Sequence, residues 1–386
     1  MPGRHNALID VAGLRVGHHT AVGHGFLTGT TVILAPDDGM VAGVDVRGGG
    51  PATRETDLLG PTASVERVHA IVLSGGSAFG TAAGSGVADQ LAARRVGLRV
   101  GPHPDAVVPL VPGASLFDLG RGGSYTARPD AGFGTAALAN ALADIESATG
   151  NDTDTVRGTG SAGPTPGRPR PGAAQGNVGA GTGAVAAGLK AGIGTASTVL
   201  PGGATVAALA AVNAAGSPLD PRTGGLLGEP WLLSGDAPDL PVPDEAGHAR
   251  LRAITTPDVT GFDFGPARPP GEPPIPPAGA TLHTTLVVVA TDATLTKVQC
   301  TKLAAVAQNG MARALNPVHT MDDGDIVFGV ATGRGPVPDP VAYRQITVEA
   351  ANAVSRAIVR ALLAADSVST PAGQWPSWTD VVRGAL

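Results

Sequence analysis

The sequence predicts a globular protein that mixes β-strands with α-helices, and three observations support this fold class. The 386 residues include 57 Gly and 34 Pro, well above ordinary usage, which favours many turns and loops over a helical bundle. Two continuous apolar segments, 69–76 and 284–291, are typical of buried strands. Segments 295–315 and 341–365 have the length of helices, and the second carries an apolar stripe.

The composition limits the classes of protein to which this chain can belong. Hydrophobic residues make up 42% but aromatic residues only 3%, so Ala, Val, Leu and Ile must form the core. The net charge of −6 is spread along the chain, which argues against a nucleic-acid partner. No secretion signal or run of 18 apolar residues occurs, and a single cysteine, Cys300, suits a reducing compartment. We therefore expect a cytoplasmic protein with no membrane partner.

The first half of the chain alternates strand-like and helix-like segments. VAGLRVGHHT (11–20) and GTTVILAP (29–36) indicate early strands ahead of the strand at 69–76. A helix of small residues should follow directly, with Ser77 as its N-cap. A second helix is predicted at 133–150, ending at Gly150.

The second half contains two segments with the composition of connectors. Residues 151–176 are predicted to form a surface loop, and the proline-rich residues 266–280 a semi-rigid linker that cannot join a sheet interior. Between them, TVAALAAVNAAG (205–216) fits either a strand or a helix, because alanine obscures the period. The linker leads into TTLVVVAT (284–291), the strongest strand signal in the sequence, and a loop and strand are predicted at 317–333.

One lysine stands out among the basic residues. Only Lys190, Lys297 and Lys302 are lysines among 26 basic residues, so arginine serves at nearly every position where only a positive charge is needed. Lys190 lies in the apolar, glycine-rich segment AAGLKAGIG, where its ammonium can be desolvated and its pKa shifted, which is not true of arginine. From the residues alone, a functional lysine and an ordinary surface lysine are equally good interpretations.

The Thr284–Thr285 pair follows a loose linker and opens a buried strand. If the bond before a threonine is cut, the new α-amine can act as general base for the hydroxyl of the same residue. The strand would then hold the nucleophile, and the linker would let the new C-terminus leave. The alternative is that a Thr-Thr pair simply suits the start of a strand.

Other candidate residues have simpler interpretations. His18 and His19 have no partner at metal-ligand spacing and His319 stands alone, so we expect no metal. Cys300, inside a predicted helix, is interpreted as a small core residue. The sequence DDGD at 322–325 is favourable for a tight turn.

Nine segments in the same order resemble the peptidases of family S58, which include D-aminopeptidase/esterases, β-peptidyl aminopeptidases and 6-aminohexanoate-oligomer endohydrolases. The resemblance extends over nearly the whole chain. The matching segments are DVAGLRVGHHT (10–20), VRGGGPATRETDLL (46–59), LSGGSAFGTAAGSGV (73–87), VPLVPGASLFDLG (108–120), GNVGAGTGA (176–184), GLKAGIG (188–194), VNAAG (212–216), HTTLVVVATDATLTKVQ (283–299) and PVHTMDDGDIVFGVATG (317–333).

The resemblance implies an α+β fold of the layered αββα type, formed by one domain over residues 1–386 that cuts itself into two chains. The cut would fall between His283 and Thr284, giving an α chain of 1–283 and a β chain of 284–386. Thr284 matches the nucleophile of the family, with Thr285 as the alternative. Several relatives have Asn or Gly before the cut where this chain has His283.

Further roles follow from the same resemblance. Asp323 and Asp325 match carboxylates that orient the nucleophile, Lys190 matches a lysine beside it, and Asn213 matches an amide of the oxyanion hole. The match makes the functional interpretation of Lys190 the better one. Phe117 occupies a substrate-binding position where some relatives have a tyrosine. β-Aminopeptidase relatives have a serine nucleophile with a Ser/Glu pair, so Thr284 with two aspartates favours the branch that hydrolyses nylon oligomers.

The implied activity is hydrolysis of short peptides or amides with β-, D- or ω-amino acid units, through an acyl-enzyme and without a cofactor. Family members usually assemble as oligomers of αβ units, so a homo-oligomer is expected. Two other functions remain open. One is an acyltransferase similar to ornithine acetyltransferase, and the other is a binding protein that never cuts itself.

Overall fold

The computed structural model describes residues 1–146, 170–237, 241–254 and 283–385. The linker predicted at 266–280 and most of the loop predicted at 151–176 lie outside these residues. The helix end predicted at Gly150 also lies outside them.

The described part of the chain alternates strands and helices. The strands are β1 (Arg15–Gly23), β2 (Phe26–Leu34), β3 (Val41–Val46), β4 (Ala52–Arg54), β5 (Ala70–Ser74), β6 (Leu98–Arg99), β7 (Val107–Val108), β8 (Gly113–Ser115), β9 (Val185–Ala186), β10 (Leu189–Lys190), β11 (Ile193–Val199), β12 (Thr205–Ala211), β13 (Leu286–Thr291), β14 (Ile326–Ala331), β15 (Val368–Thr370) and β16 (Gly373–Trp375). The α-helices are α1 (Ser77–Gly80), α2 (Ala83–Ala93), α3 (Ala131–Glu146), α4 (Glu245–Ile254), α5 (Lys297–Ala314), α6 (Pro340–Leu363) and α7 (Trp378–Arg383).

Two mixed sheets of five strands form the centre of the molecule. The first has the order β1-β2-β5-β8-β4 and the second the order β11-β12-β13-β14-β3. In each sheet one neighbouring pair is parallel, β5 with β8 and β13 with β14, and the other pairs are antiparallel. The mixture of strands and helices predicted from the sequence is thus confirmed as an α+β arrangement.

Three apolar clusters hold the sheets and helices together. One contains residues of both sheets, including Ile33 and Ile71 from the first and Leu209 and Val288 from the second. A second cluster joins the other face of the second sheet to α5 and α6, and a third joins the first sheet to α2 and α3. Nearly all the members are aliphatic, as the low aromatic content requires.

The segment whose period was ambiguous forms strand β12. Its side chains alternate between two clusters: Val206, Ala208 and Ala210 face α6, while Ala207 and Leu209 face the other sheet. A strand buried on both faces has no polar period, which explains why the sequence alone did not distinguish it from a buried helix.

The prediction that Ser77 caps a helix is wrong. The residue before helix α1 is Gly76, in the left-handed conformation, and no side chain makes a capping hydrogen bond there. Ser77 is itself in the left-handed region (φ 53°), and its N–H donates to the Leu116 carbonyl at 2.8 Å. The chain turns too sharply for the cap, and the predicted single helix is divided into α1 and α2.

Two other features bear on predictions from the sequence. Cys300 is fully buried in the cluster beneath α5, as predicted for a core residue. Among the described helices, none has both the length and the apolar character that a membrane span needs.

Candidate active site

Three adjacent strands bring Thr284, Asn213 and Gly324 together. Leu286 of β13 pairs with Ala211 of the antiparallel β12 and with Ile326 of the parallel β14. The same alignment continues beyond the strand ends, where the Thr284 N–H donates to the Asn213 carbonyl at 2.6 Å. On the other side, the Gly324 N–H donates to the His283 carbonyl at 2.8 Å.

The hydroxyl of Thr284 lies against the peptide bond at which cleavage is predicted. Its Oγ1 donates to the His283 carbonyl oxygen at 2.6 Å, and the residue is only 4% exposed. That carbonyl therefore accepts two hydrogen bonds, one from Thr284 and one from Gly324. The Gly324 N–H polarises this carbonyl and can stabilise negative charge that develops on its oxygen when the hydroxyl attacks the carbon.

Thr285, the alternative nucleophile, has a different environment. Successive residues of an extended chain point to opposite faces, so its side chain faces away from that of Thr284. The Thr285 N–H donates to Asp325 Oδ1 at 2.8 Å, and its carbonyl accepts from the Ile326 N–H. Its buried Oγ1 makes no hydrogen bond to the described part of the chain. The geometry favours Thr284 over Thr285.

The two aspartates of the DDGD sequence are both buried, at 2% exposure each. Asp323 Oδ2 accepts from the N–H and hydroxyl of Thr320, at 2.8 and 2.7 Å. The turn predicted at 322–325 lies two residues earlier, at 320–323, where the Asp323 N–H donates to the Thr320 carbonyl at 3.3 Å. Asp325 Oδ2 accepts from the N–H of His319 at 3.0 Å and lies 3.0 Å from its Nδ1. His319, for which the sequence suggested no partner, therefore pairs with Asp325.

The surroundings of Asp323 shift its pKa. Burial, together with repulsion from Asp325, raises the pKa of Asp323 above its ordinary value. The hydrogen bonds from Thr320 and from the Ala215 N–H oppose this shift. Among the described residues, the hydrogen bonds of both carboxylates go to neighbours of Thr284 and not to Thr284 itself, so their predicted action on the nucleophile stays a prediction.

Two hydrogen bonds to its Oδ1 atom orient the side chain of Asn213. Asn213 Oδ1 accepts from Arg121 Nη1 at 2.6 Å and from the Val185 N–H at 3.2 Å. Its Nδ2 donates one hydrogen to the Phe117 carbonyl at 3.2 Å, which leaves a second N–H for another acceptor. The role in the oxyanion hole that the resemblance implies for this amide stays a prediction.

Lys190 lies in a cage of backbone carbonyls. It is fully buried, and its Nζ donates to the carbonyls of Gly181 at 3.2 Å, of Ala184 at 3.0 Å and of Ala191. Burial, and to a smaller extent the charge of Arg121, lowers the pKa of Lys190 to about 7. Three acceptors favour the ammonium form, because a neutral amine has only two hydrogens to donate.

The ammonium of Lys190 does not contact Thr284. All three of its donors are used within the cage, and none reaches Thr284 among the described residues. Lys190 also pairs with Val185, whose N–H holds Asn213, so it supports the segment that orients the amide. Its predicted direct action beside the nucleophile stays a prediction.

Two further buried charges lie nearby, and sequence reasoning did not find them. The pKa of Asp118 is raised by burial to about 6, although the Thr28 hydroxyl, the Gly76 N–H, Arg121 and Lys190 favour its charged form. Arg121 is 5% exposed and donates through Nη1 to the Gly183 carbonyl and to Asn213 Oδ1, both at 2.6 Å. Charged residues in the otherwise apolar segment 108–121 were the available signal.

A cavity of about 450 Å³ opens beside the predicted cleavage site. Phe117 and His283 both line it, so the structure places the predicted substrate-binding residue next to the predicted cut. The other described residues of its wall are Leu119, Gly120, Arg121, Val185, Ala187, Gly188, Ala215, Ala372 and Trp375. This cavity is the candidate substrate site, because it is concave, mostly apolar and adjacent to the predicted cleavage site.

Burial keeps the imidazole of His283 neutral. Burial, assisted by the positive charge of Arg121, lowers the pKa of His283 to about 3. Among the described residues, no group of three or more His, Cys, Asp or Glu side chains is arranged to bind a metal.

Sequence comparisons identify relatives over the whole chain. The model of peptidase family S58 matches residues 6–375. An uncharacterised aminopeptidase of Mycobacterium bovis is 37% identical over 394 residues, which cover 99% of each chain. A 6-aminohexanoate-oligomer endohydrolase of a Kocuria species is 28% identical over 343 residues, covering 87% of this chain and 78% of the relative.

Solved structures show the same fold at low sequence identity. A β-aminopeptidase of a Burkholderia species superimposes with a TM-score of 0.65 at 24% identity, covering 100% of this chain and 95% of its own. The L-aminopeptidase D-Ala-esterase/amidase of Ochrobactrum anthropi, described as a variant of the Ntn-hydrolase fold, gives 0.63 at 18% identity with the same coverage. This chain therefore belongs to peptidase family S58 and is a hydrolase of peptide or amide bonds.

Proposed function

We propose that the chain cuts itself between His283 and Thr284 and that Thr284 is then the nucleophile of an amide hydrolase. In the first step Oγ of Thr284 attacks the His283 carbonyl carbon and the C–N bond of that peptide breaks. Water then hydrolyses the resulting ester, which yields chains 1–283 and 284–386. The new α-amine can serve as general base for the hydroxyl in later turnovers.

The observation that carries this proposal is the alignment of three strands at one buried end. It places the Thr284 hydroxyl 2.6 Å from the oxygen of the carbonyl to be attacked and gives that oxygen a second donor from Gly324. Backbone pairing fixes the His283 carbonyl and the Gly324 N–H, so only the Thr284 hydroxyl has to turn, from the carbonyl oxygen to the carbonyl carbon, before reaction. The three apolar clusters are also those that a layered αββα arrangement requires.

The proposed turnover repeats this chemistry on an external substrate. Thr284 Oγ attacks the substrate carbonyl, the amine leaves with a proton, and water hydrolyses the acyl-enzyme to a carboxylic acid. Asn213 Nδ2 donates to the oxyanion, while Asp323 and Asp325 hold the segment around the nucleophile. The names of the relatives support short amides with β-, D- or ω-amino acid units, including 6-aminohexanoate oligomers.

The decisive experiment is intact-mass analysis and N-terminal sequencing of the purified protein. We expect two associated chains, with the second beginning at Thr284. The Thr284→Ala variant should remain one chain, whereas the matched control Thr285→Ala should still be cut. A second chain that begins elsewhere, or cleavage of Thr284→Ala, would contradict the assignment.

The same measurement separates this proposal from its rivals. A single intact chain in the wild-type protein would favour a binding protein. A cleaved protein that exchanges acetyl groups without net hydrolysis would indicate an acyltransferase.

A further inference from the structure

We propose that the three glycines at 48–50 hold the reacting groups around Thr284 in attack geometry, with Gly48 as the critical positioning residue. This inference rests on the proposed function of Thr284. None of the three glycines belongs to the described wall of the cavity. They act instead through the segment 320–325, in which the Gly324 N–H donates to the His283 carbonyl.

The glycine run begins where the pairing of strand β3 with strand β14 ends. Arg47 and Gly48 both donate their N–H groups to the Asp325 carbonyl, at 3.0 and 3.2 Å. Two successive donors on one carbonyl form the hydrogen-bond pattern of a β-bulge, which bends a strand and interrupts its regular pairing. The bulge thereby leads the chain from the sheet onto the segment 320–325.

The last glycine of the run binds a peptide group beside the nucleophile. The Gly50 N–H donates to the Asp323 carbonyl at 2.8 Å. Because a peptide group is planar, the Asp323 carbonyl and the Gly324 N–H move as one unit. One end of this unit accepts from Gly50, and the other end donates to the His283 carbonyl at 2.8 Å. The glycine run therefore fixes the direction of the N–H that polarises the bond to be cut.

Gly48 lies so close to the same peptide unit that a side chain has no room there. A Cβ built on Gly48 lies 2.4 Å from the Asp323 carbonyl oxygen and 2.3 Å from the Asp325 nitrogen. These two atoms belong to the peptide groups on either side of Gly324. The backbone of Gly48 is not left-handed, so the need for glycine comes from this close approach and not from the value of φ.

The test is the variant Gly48→Ala. Non-bonded heavy atoms reach their optimal separation at about 3.5 Å, so the added methyl group must displace the segment 320–325 by about 1 Å. A displacement of this size can reduce the rate about 100-fold. We therefore expect self-cleavage, followed on denaturing gels after cell-free synthesis, to slow about 100-fold.

Turnover provides a second measurement on the same variant. After prolonged incubation, the amount of cut chain is determined by intact mass, and hydrolysis of the p-nitroanilides of β-alanine and 6-aminohexanoic acid is measured. For Gly48→Ala, kcat per cut chain should fall by a factor similar to that for self-cleavage. KM should change little, because Gly48 is not part of the described wall of the cavity.

Gly43→Ala is the matched control for a loss that comes only from destabilisation. Gly43 lies within β3, and a Cβ built on it is 2.3 Å from the Thr301 nitrogen of α5, so the contact is equally close but meets a helix instead of the segment 320–325. This variant should lower the midpoint of thermal unfolding but keep a wild-type kcat per cut chain.

Gly49→Ala gives a milder variant of the glycine run. A Cβ at Gly49 lies 2.7 Å from the Met321 Cα, and both residues are exposed, so the chain should still fold. Since the required displacement is smaller, we expect self-cleavage to slow about 10-fold.

The outcomes separate this inference from the proposed function. Wild-type rates in folded Gly48→Ala overturn the inference alone, and so does an equal loss of kcat in Gly43→Ala. If Gly48→Ala fails to fold, Gly49→Ala decides, and wild-type rates in that variant overturn the inference. A wild-type protein that stays one chain, or cleavage of Thr284→Ala, overturns the proposed function and the inference with it.

Discussion

Gly324 is the position at which one added methyl group should most directly disturb the nucleophile. A Cβ built there lies 2.4 Å from Thr284 Oγ1 and 3.0 Å from the Gly50 carbonyl oxygen. Non-bonded heavy atoms reach their optimal separation at about 3.5 Å, so the hydroxyl must move by about 1 Å. A displacement of about 1 Å from attack geometry can reduce the rate about 100-fold. We therefore expect Gly324→Ala to slow self-cleavage by about two orders of magnitude.

The assay is a time course on denaturing gels after cell-free synthesis, with circular dichroism to verify folding. Gly324 does not have a left-handed backbone, so alanine should not strain the chain itself. Gly202→Ala is the matched control, because a Cβ at Gly202 has no atom within 4 Å and its backbone is likewise permissive. Wild-type cleavage rates in folded Gly324→Ala would show that the hydroxyl does not react from the position described, and would refute the reasoning.

Two further predictions concern charged residues around the site. Asp323→Ala and Asp325→Ala should each slow both self-cleavage and turnover, because each removes a buried acceptor of two or more hydrogen bonds; wild-type rates in both would make the DDGD turn purely structural. Lys190→Arg should remain soluble but lose most amide turnover, because a guanidinium is larger than the carbonyl cage around Nζ, with overpacking costs of about 1–3 kcal/mol. The exposed Lys302 gives the control Lys302→Arg, and near wild-type kcat in Lys190→Arg would contradict the prediction.

The elements that the sequence predicts well are those whose own residues determine them. Strand β13 and helices α5 and α6 lie within two residues of their predicted bounds, because a continuous apolar run rich in valine and long helical segments are local signals. Strand β12 was ambiguous since its identity depends on the two strands that flank it. The cap at Ser77 failed because a contact with Leu116, remote in sequence, determines the local turn.

The residues of the candidate site also fall into those that the sequence predicts and those that it does not. Thr284, Asn213 and the two aspartates could be named from motifs, and strand pairing then places them at one buried end. Arg121 and His319 could not be named from motifs, because their importance depends on the residues that they contact. Arg121 contacts Asn213, 92 positions away, and His319 contacts Asp325, 6 positions away. Whether a charged side chain is buried depends on the whole fold, so the local pattern of the sequence does not predict it.

The proposed cleavage and the candidate substrate cavity are linked through one residue, His283. In the uncut chain, Thr284 is buried and its hydroxyl is bound to His283, whose imidazole shares a cavity wall with Arg121. The peptide after His283 is thus the first amide presented to this nucleophile, with a neutral ring as its acyl group. A neutral ring beside a guanidinium gains little electrostatic energy, so the departure of His283 from the cavity costs little. On this scheme the new C-terminus at His283 leaves the cavity readily, and the acyl group of a substrate takes its place beside Thr284.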